Sequence, residues 1–310
     1  MESSALQNSS EKRSSSLLKP SAWDNGPMKI HFTKMQGAGN DFIVLDNTHS
    51  CLNLSADQYR SLADRHFGVG ADQILIIEKA KDPVNDFSYR IINADGHEVE
   101  HCGNGARCFL RYVRSKGLTQ KNSIQVEVSF GVITLSELNN GNIRVQIAVP
   151  RFSPEDIPFN SQGFITRKMH KNWMYTFALN NNWRDISVVN LGNPHAIQIV
   201  EDLDTAPVLT EGPLIESHPA FTAKVNAGFM QILNSQHIRL RVYERGAGET
   251  LACGTGACAA VVTGIQCGLL VSPVTVDMRG GRLLVDWEGE GQMCFLSGPA
   301  QFVFEGEIQL

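Results

Sequence analysis

One short loop occurs twice in this chain, and this repeat constrains the fold more than any other feature. The first copy is Cys102-Gly103-Asn104-Gly105-Ala106-Arg107-Cys108, and the second, 151 positions later, is Cys253-Gly254-Thr255-Gly256-Ala257-Cys258. In each copy a cysteine precedes glycines, which let the backbone approach a ligand closely, and small residues that can begin a helix. The repeat predicts two related halves whose loops face one small molecule from opposite sides.

A thiol at the start of a helix has distinctive acid-base chemistry. Free amide N–H groups and the positive end of the helix dipole stabilise a thiolate, so we expect the pKa values of Cys102 and Cys253 to fall toward neutrality. The same amides can bind a carboxylate. Two thiols on opposite faces of one carbon can remove a proton from one side and return one on the other, with coupled titrations.

Other uses of paired cysteines fit the spacing less well. The sequence has no Cys-x-x-Cys pair, and the spacings 102 to 108 and 253 to 258 do not resemble those of zinc ligands. A non-catalytic redox sensor, in which Cys102 and Cys253 form a disulfide, stays open as an alternative. The other five cysteines are expected to be buried apolar residues: Cys51, Cys108, Cys258, Cys267 and Cys294.

Composition restricts the partners of the protein. The 310 residues carry a formal net charge of −5, so the chain lacks the basic excess that nucleic acid or an anionic membrane surface would require. No apolar run approaches the roughly 20 residues of a membrane span. A small-molecule partner is therefore expected, with no nucleic acid and no membrane. Seven cysteines without a secretion signal predict free thiols in a reducing compartment.

Residues 1–27 differ in composition from the rest of the chain. They contain eight serines and few apolar residues, which predicts a disordered tail and places the start of the folded chain near Met28. A serine-rich, acid-poor segment is also typical of a plastid transit peptide. The expected location is the cytoplasm, or the plastid stroma if the tail is such a peptide.

The remaining sequence predicts many short strands and few helices. Apolar or alternating runs predict strands at 30–34, 42–46, 73–78, 87–92, 186–191, 196–200, 229–233 and 238–243. Ser55 and Gln58 form a capping-box pattern for a helix that extends toward His66. Each cysteine loop leads into a helix. The first is half-buried and ends at Gly117, and the second, 257–267, is apolar nearly all round.

Hairpin signals follow both helices. Asn140-Gly141 predicts a type I′ turn between the alternating runs 124–128 and 143–147, and Gly280-Gly281 predicts a second hairpin. The arginines of the first helix, Arg107, Arg111 and Arg114, are expected on its polar face. Both halves thus share the order of cysteine loop, helix and hairpin, which indicates an internal duplication with a cleft between two pseudo-equivalent domains.

Seven segments taken together resemble the diaminopimelate epimerases. They are the two cysteine loops and the segments 37–42 (GAGNDF), 70–73 (GADQ), 93–96 (NADG), 192–195 (GNPH) and 243–250 (YERGAGET). The match runs in order from about Met28 to the C-terminus. Proline racemases are similar around Cys253, whereas segment 37–42 and the first cysteine loop distinguish the two families.

Sequence pattern and resemblance together predict an α+β fold of two pseudo-symmetric domains, each a curved, barrel-like mixed sheet around a central helix. The N-terminal domain would span 28–147 and carry Cys102, and the C-terminal domain would span 148–298 and carry Cys253. The final strand, within 299–310, would return to the N-terminal domain. The resemblance implies a homodimer that uses neither pyridoxal phosphate nor a metal ion.

The resemblance also implies a function. The protein would interconvert LL-2,6-diaminopimelate and meso-diaminopimelate in lysine and peptidoglycan precursor synthesis, with Cys102 and Cys253 as the two acid/base thiols. A racemase or epimerase of another amino acid is the alternative. The reacting carboxylate would be bound by backbone amides of Gly103, Asn104, Gly254 and Thr255.

The remaining site residues implied by the resemblance are polar side chains. Asn40 and Gln73 would lie beside the reacting centre, and His195 would support a catalytic thiol. Arg245 would bind the distal carboxylate and Glu244 the distal ammonium. The same head group would be held by three asparagines: Asn93, Asn193 and Asn226. Taken alone, an asparagine beside glycine is also typical of a turn.

Overall fold

The computed structural model describes residues 28–99, 103–180 and 182–310. The predicted tail 1–27 and Cys102 lie outside the described residues, so the predictions for them stay predictions.

The first half of the described chain contains eight strands and two helices. They are β1 (Lys29–Gly37), β2 (Asn40–Asp46), α1 (Ala56–Ala63), β3 (Gln73–Glu78), β4 (Phe87–Asn93), β5 (Glu98–Val99), α2 (Gly103–Ser115), β6 (Ser123–Val128), β7 (Gly131–Glu137) and β8 (Ile143–Ala148).

The second half begins with a short 3-10 helix, Pro154–Asp156, and then has a closely similar series. It contains β9 (Ile165–Met169), β10 (Asn172–Leu179), β11 (Asn182–Asn190), β12 (Pro194–Ile199), α3 (Val208–Glu216), β13 (Asn226–Asn234), β14 (His237–Glu244), β15 (Gly248–Glu249), α4 (Gly254–Gln266), β16 (Val274–Met278), β17 (Gly281–Asp286), β18 (Cys294–Gly298) and β19 (Gln301–Gln309).

Both halves have the same strand order and the same strand directions. In the first half β2 is parallel to β3 and β4 is parallel to β6, while the other neighbours are antiparallel. In the second half β12 is parallel to β13 and β14 to β16, at the equivalent places. The antiparallel pair β8 and β18 joins the halves. The α+β fold of two pseudo-symmetric units is therefore confirmed.

The edges of this sheet are formed by β19 and β9. Strand β19 pairs with β1 of the first half, although it follows the second half in sequence. Strand β9 lies at the other edge, next to β10. Between the edges, α2 and α4 lie in one continuous apolar core, to which Phe109 and Val113 of α2 and Val261 of α4 belong. Burying side chains of this size contributes about 1.5–3 kcal/mol each.

Local signals predict most element starts correctly. Helix α1 begins after Ser55, whose side chain and that of Gln58 form the expected capping box, but it ends at Ala63 because Asp64 has extended backbone angles. Helix α4 is buried nearly all round, as its composition predicts. None of the helices in the described ranges has the length and apolar character needed to cross a bilayer.

Four sequence predictions are wrong. Strand β7 pairs across the Asn140-Gly141 turn with β8, so the run 124–128 is not the partner of 143–147 there. The turn is not type I′, because that type needs positive φ at two central residues and here Gly141 has one while Asn140 does not. Cys51 is exposed, since it lies in the loop after β2. Arg107 is fully buried, whereas Arg111 and Arg114 bind Glu137 of β7.

Candidate active site

The N-termini of α2 and α4 lie next to each other at the centre of the molecule. A Cβ atom on Gly254 would lie 3.8 Å from Cα of Gly103 and 2.9 Å from a methyl group of Leu296 in β18, so any larger residue would displace the Leu296 side chain. The first turn of each helix has amide N–H groups without helical partners. Two sets of such donors therefore converge, which is a favourable arrangement for binding a carboxylate.

Equivalent strand positions supply the predicted polar residues in both halves. Asn40 begins β2 and Asn193 immediately precedes β12. Gln73 begins β3 opposite Phe42, and Asn226 begins β13 opposite His195. At the ends of β4 and β14, Asn93 and Glu244 occupy the corresponding place.

Cys253 precedes α4 and is buried. Its sulfur lies 3.7 Å from Oγ1 of Thr255 and interacts with the amide of Gly256 and the carboxyl group of Glu244. Burial and the neighbouring Glu244 raise the pKa of the thiol well above its ordinary value, while the amide and the hydroxyl lower it by less. The expected fall of this pKa toward neutrality is therefore wrong for Cys253, because the dipole of α4 does not offset the loss of solvent.

Glu244 faces Cys253 rather than open solvent. Burial raises the pKa of its carboxyl group, and hydrogen bonds from Thr250 and Cys253 act in the opposite direction. The hydroxyl of Thr250 donates to Oε1 of Glu244. A carboxylate in contact with a neutral thiol can accept the thiol proton. The contact with Cys253 is not part of the role that the resemblance implies for Glu244.

His195 of β12 is buried and neutral. Burial and the positive charge of Arg245 lower its pKa to about 3. Asn193 donates from Nδ2 to Oγ1 of Thr255 over 3.3 Å, so its oxygen faces His195, whose Nε2 lies 3.0 Å away. The network thus assigns the proton to Nε2 and leaves Nδ1 as an unprotonated hydrogen-bond acceptor. Within the described part of the chain, Nδ1 is buried and has no hydrogen-bond partner.

A chain of polar side chains connects the surface with α2. Asp72 accepts from Arg65 over 2.8 Å and from Nδ2 of Asn40 over 2.9 Å. Nδ2 of Asn104 donates to Oδ1 of Asn40 over 3.4 Å, and Arg107 donates to Oδ1 of Asn104 over 2.8 Å. Since a carboxylate only accepts and a guanidinium only donates, both amides have fixed orientations.

Neither Asp72 nor Arg65 is among the residues that the sequence predicts for the site. Asp72 nevertheless belongs to the segment 70–73, which carries part of the resemblance.

Two further predicted residues, Gln73 and Asn93, form a pair on adjacent strands. Nε2 of Gln73 donates to Oδ1 of Asn93 over 2.8 Å. Oε1 of Gln73 is buried and, among the residues that the structure describes, has no hydrogen-bond partner. It is therefore available as an acceptor for a bound donor such as an ammonium group.

Asn226 and Arg245 form a second pair. Asn226 donates to the carbonyl of Pro194 over 3.1 Å and accepts from the backbone amide of Arg245 over 2.9 Å. Asn226 thereby holds the loop of Arg245 in place, and the exposed guanidinium of Arg245 donates to the carbonyl of Ala223. In the described ranges, no three His, Cys, Asp or Glu side chains are arranged to bind a metal ion.

Sequence comparison identifies relatives over nearly the whole chain. The profile of the diaminopimelate epimerase family matches residues 32–152 and 187–303. The diaminopimelate epimerase of Cupriavidus taiwanensis is 56% identical over 283 residues, which are 91% of this chain and 98% of that protein. That of Paraburkholderia xenovorans is 55% identical over 285 residues, with 91% and 99% covered.

Solved structures with low sequence identity share the fold. A hydroxyproline epimerase from Agrobacterium vitis has a TM-score of 0.64 at 13% identity, covering 93% of this chain and 94% of that chain. A phenazine biosynthesis protein of the PhzF family from Bacillus anthracis has a TM-score of 0.64 at 19% identity, covering 91% and 100%.

Proposed function

Because the chain belongs to the diaminopimelate epimerase family, we propose that Cys102 and Cys253 are the two acid/base groups with which it inverts a stereocentre of diaminopimelate. The protein is an amino-acid epimerase that interconverts the LL and meso forms of this compound, in lysine and peptidoglycan precursor synthesis. The convergence of the N-termini of α2 and α4, each directly preceded in sequence by one of these cysteines, carries the proposal.

Proton transfer at the reacting carbon follows from this arrangement. Amides at Gly103, Asn104, Gly254 and Thr255 bind the carboxylate and stabilise the negative charge that develops when the adjacent C–H bond breaks. One thiolate takes that proton, and the thiol on the opposite face donates its own, which leaves the configuration inverted. The reverse reaction exchanges the two roles. At the reacting carbon, protons move only between these sulfurs and the substrate, so pyridoxal phosphate and metal ions have no part in the proposed mechanism.

Each thiol has a polar partner in this proposal. A thiol must lose its own proton before it can accept one from carbon. Glu244 contacts Cys253 and accepts the proton there. His195 supports Cys102 as a hydrogen-bond acceptor, since its buried, unprotonated Nδ1 lacks a partner among the described residues.

The rest of the substrate is a second amino acid head group. We propose that Arg245 binds its carboxylate, with support from Asn93, Asn193 and Asn226. Glu244 contacts the thiol of Cys253, so we assign it to proton transfer and not to binding of the distal ammonium group. Oε1 of Gln73, which has no partner among the described residues, can accept a hydrogen bond from an ammonium group, and we propose that Asn40 binds the same group.

Assembly and location are part of the same proposal. We propose a homodimer formed through β19, because Phe302, Val303 and Phe304 are exposed on this edge strand. We also propose a cytoplasmic location, which is supported by free thiols at six described cysteines. The division into domains 28–147 and 148–298, with the final segment 299–310 returning to the first, is proposed on the repeated strand order.

Isotope exchange tests the use of two thiols. In deuterated water under reducing conditions, purified protein acting on LL-diaminopimelate should form product that carries deuterium while the recovered substrate carries little. The reason is that the donor thiol has equilibrated with solvent, whereas the proton removed goes to the other sulfur. Early deuterium in recovered substrate would indicate a single base and contradict the proposal. An analogue without the distal head group should not react, whereas turnover of that analogue would support an epimerase of another amino acid.

A further inference from the structure

A hydroxyl group approaches Glu244 from the hairpin of β14 and β15. In this hairpin Tyr243 pairs with Glu249 and Glu244 pairs with Gly248. Thr250 follows Glu249 directly, and its amide donates to the carbonyl of Val242 over 3.3 Å. From this position its side-chain hydroxyl donates to Oε1 of Glu244, on the carboxylate that also contacts Cys253.

The equivalent hairpin of the first half has no such hydroxyl. There Ile92 pairs with Glu98 and Ile91 with Val99, so Val99 occupies the place of Thr250, and Asn93 that of Glu244. Asn93 carries a neutral amide that does not titrate. The hydroxyl is therefore present in the half that has a carboxylate and replaced by an apolar group in the half that has an amide.

The backbone that carries Thr250 is held by its neighbour Glu249. Arg241 donates to both carboxylate oxygens of Glu249, over 2.7 and 3.0 Å, and Arg279 lies 3.2 Å away. The Glu249 side chain is only 5% exposed. Because two arginines fix this residue, the next residue in the chain has little freedom to move its hydroxyl away from Glu244.

We propose that Thr250 is a positioning residue of the epimerase, whose hydroxyl turns the Glu244 carboxylate toward Cys253 and keeps it ready to accept the thiol proton. This inference rests on the proposed function, in which Glu244 takes that proton. A buried carboxylate that loses a donor is more easily protonated, and a protonated carboxyl group cannot accept from the thiol. The hydroxyl thus acts on catalysis through Glu244, without a contact to substrate.

Two substitutions of Thr250 separate this role from a packing role. Thr250→Val removes the hydroxyl and nearly preserves the shape, and we expect kcat to fall by about 10- to 100-fold, the effect of one hydrogen bond to a charged group. KM should change little. The acid limb of the kcat profile should move to higher pH, since loss of the donor raises the pKa of Glu244. Thr250→Ser retains the hydroxyl and should keep most of the activity and the original profile.

Thr263→Val is the matched control, because Thr263 is buried in α4 and its hydroxyl has no partner among the described residues. It should retain kcat. In a Glu244→Gln background, Thr250→Val should cause little further loss of residual activity. The inference is overturned if Thr250→Val is as active as the control, if Thr250→Ser loses as much as Thr250→Val, or if the losses multiply in the double variant.

Different results would contradict the proposed role of Glu244 and the inference about Thr250. If Glu244→Gln keeps full turnover, the proposed role of Glu244 is wrong and that of Thr250 falls with it. If Glu244→Gln is inactive and Thr250→Val is fully active, only the inference about Thr250 is wrong.

Discussion

The hairpins beside the two cysteine loops contain equivalent ion pairs in different surroundings. In the first half, Arg90 binds Glu98 with side chains that are 41% and 43% exposed. In the second half, Arg241 binds Glu249 with side chains that are 19% and 5% exposed. An exposed pair adds little to stability, whereas breaking a buried pair leaves an uncompensated charge. The second hairpin is therefore the more firmly fixed of the two, and it is the one that presents a carboxylate to a thiol.

The same asymmetry applies to the strands that line the site. Phe42 is packed in the core of the first half, and its equivalent in the second half is the titratable His195. The first half contributes neutral amides at Asn40, Gln73 and Asn93. Both titratable residues that we propose act on the thiols, His195 and Glu244, come from the second half. The two halves thus share their strand order, while the side chains at matching positions differ in whether they can titrate.

The largest expected effect is the loss of turnover when either proposed acid/base thiol is removed, and the two losses should be similar. Cys102→Ala and Cys253→Ala should each reduce turnover of LL-diaminopimelate by about 10²- to 10⁴-fold, since either change removes one acid/base group. Cys51→Ser is the control, because Cys51 is exposed in a loop, and it should keep full activity. Turnover is measured under reducing conditions.

A non-catalytic redox sensor would respond differently to these substitutions. There, Cys253→Ala would leave ligand affinity unchanged and remove only the response to oxidants. Full-rate inversion by either alanine variant would rule out the two-thiol mechanism.

The two ion pairs should differ in their contribution to the free energy of unfolding. Glu249→Ala leaves the mostly buried Arg241 without its carboxylate, so we expect a loss of about 2–3 kcal/mol. Glu98→Ala should cost less than about 1 kcal/mol, because its pair is exposed. Urea unfolding of both variants measures the difference. Equal losses would show that the two ion pairs stabilise their hairpins equally.

The smallest expected effect is a pH dependence of stability that comes from one half only. The pKa of His195 is about 3 in the folded protein, below the ordinary value of 6.5. The unfolded chain therefore binds the extra proton, and this stabilisation is complete above pH 6.5 and is lost as the pH falls toward 3. Between pH 7 and pH 5 the loss should be about 2 kcal/mol.

His195→Phe supplies the matching test, because it introduces the residue found at the equivalent position of the first half. The variant should lose less stability between pH 7 and pH 5 than the parent protein does in urea unfolding. An identical pH dependence would mean that His195 is not the group responsible.

Local signals in the sequence predict the helices and strands well, but they predict the side-chain contacts of the site poorly. The double glycine loops predict both central helices, and the alternating runs predict strands such as β3 to the residue, because glycine and apolar periodicity act locally. The runs that form β9 and β10 carry no such clear signal, and the turn at Asn140-Gly141 depends on which strands pair.

Side-chain contacts between distant residues are the part that could not be read from the sequence. The contact of Glu244 with Cys253 and the raised pKa of that thiol depend on burial in the folded protein, and Arg107 is buried against Pro299, which is distant in the sequence. The lone pair on His195 is likewise defined only by the orientation of Asn193. No pattern within a single segment encodes these relations.

The pairing of β8 with β18 affects how the N-termini of α2 and α4 are held. This ladder joins the two halves. Leu296 of β18 lies against Gly254, and its side chain would lie 3.5 Å from a Cβ atom placed on Gly103. The ladder therefore fixes the separation of the N-termini of α2 and α4, which both lie against it.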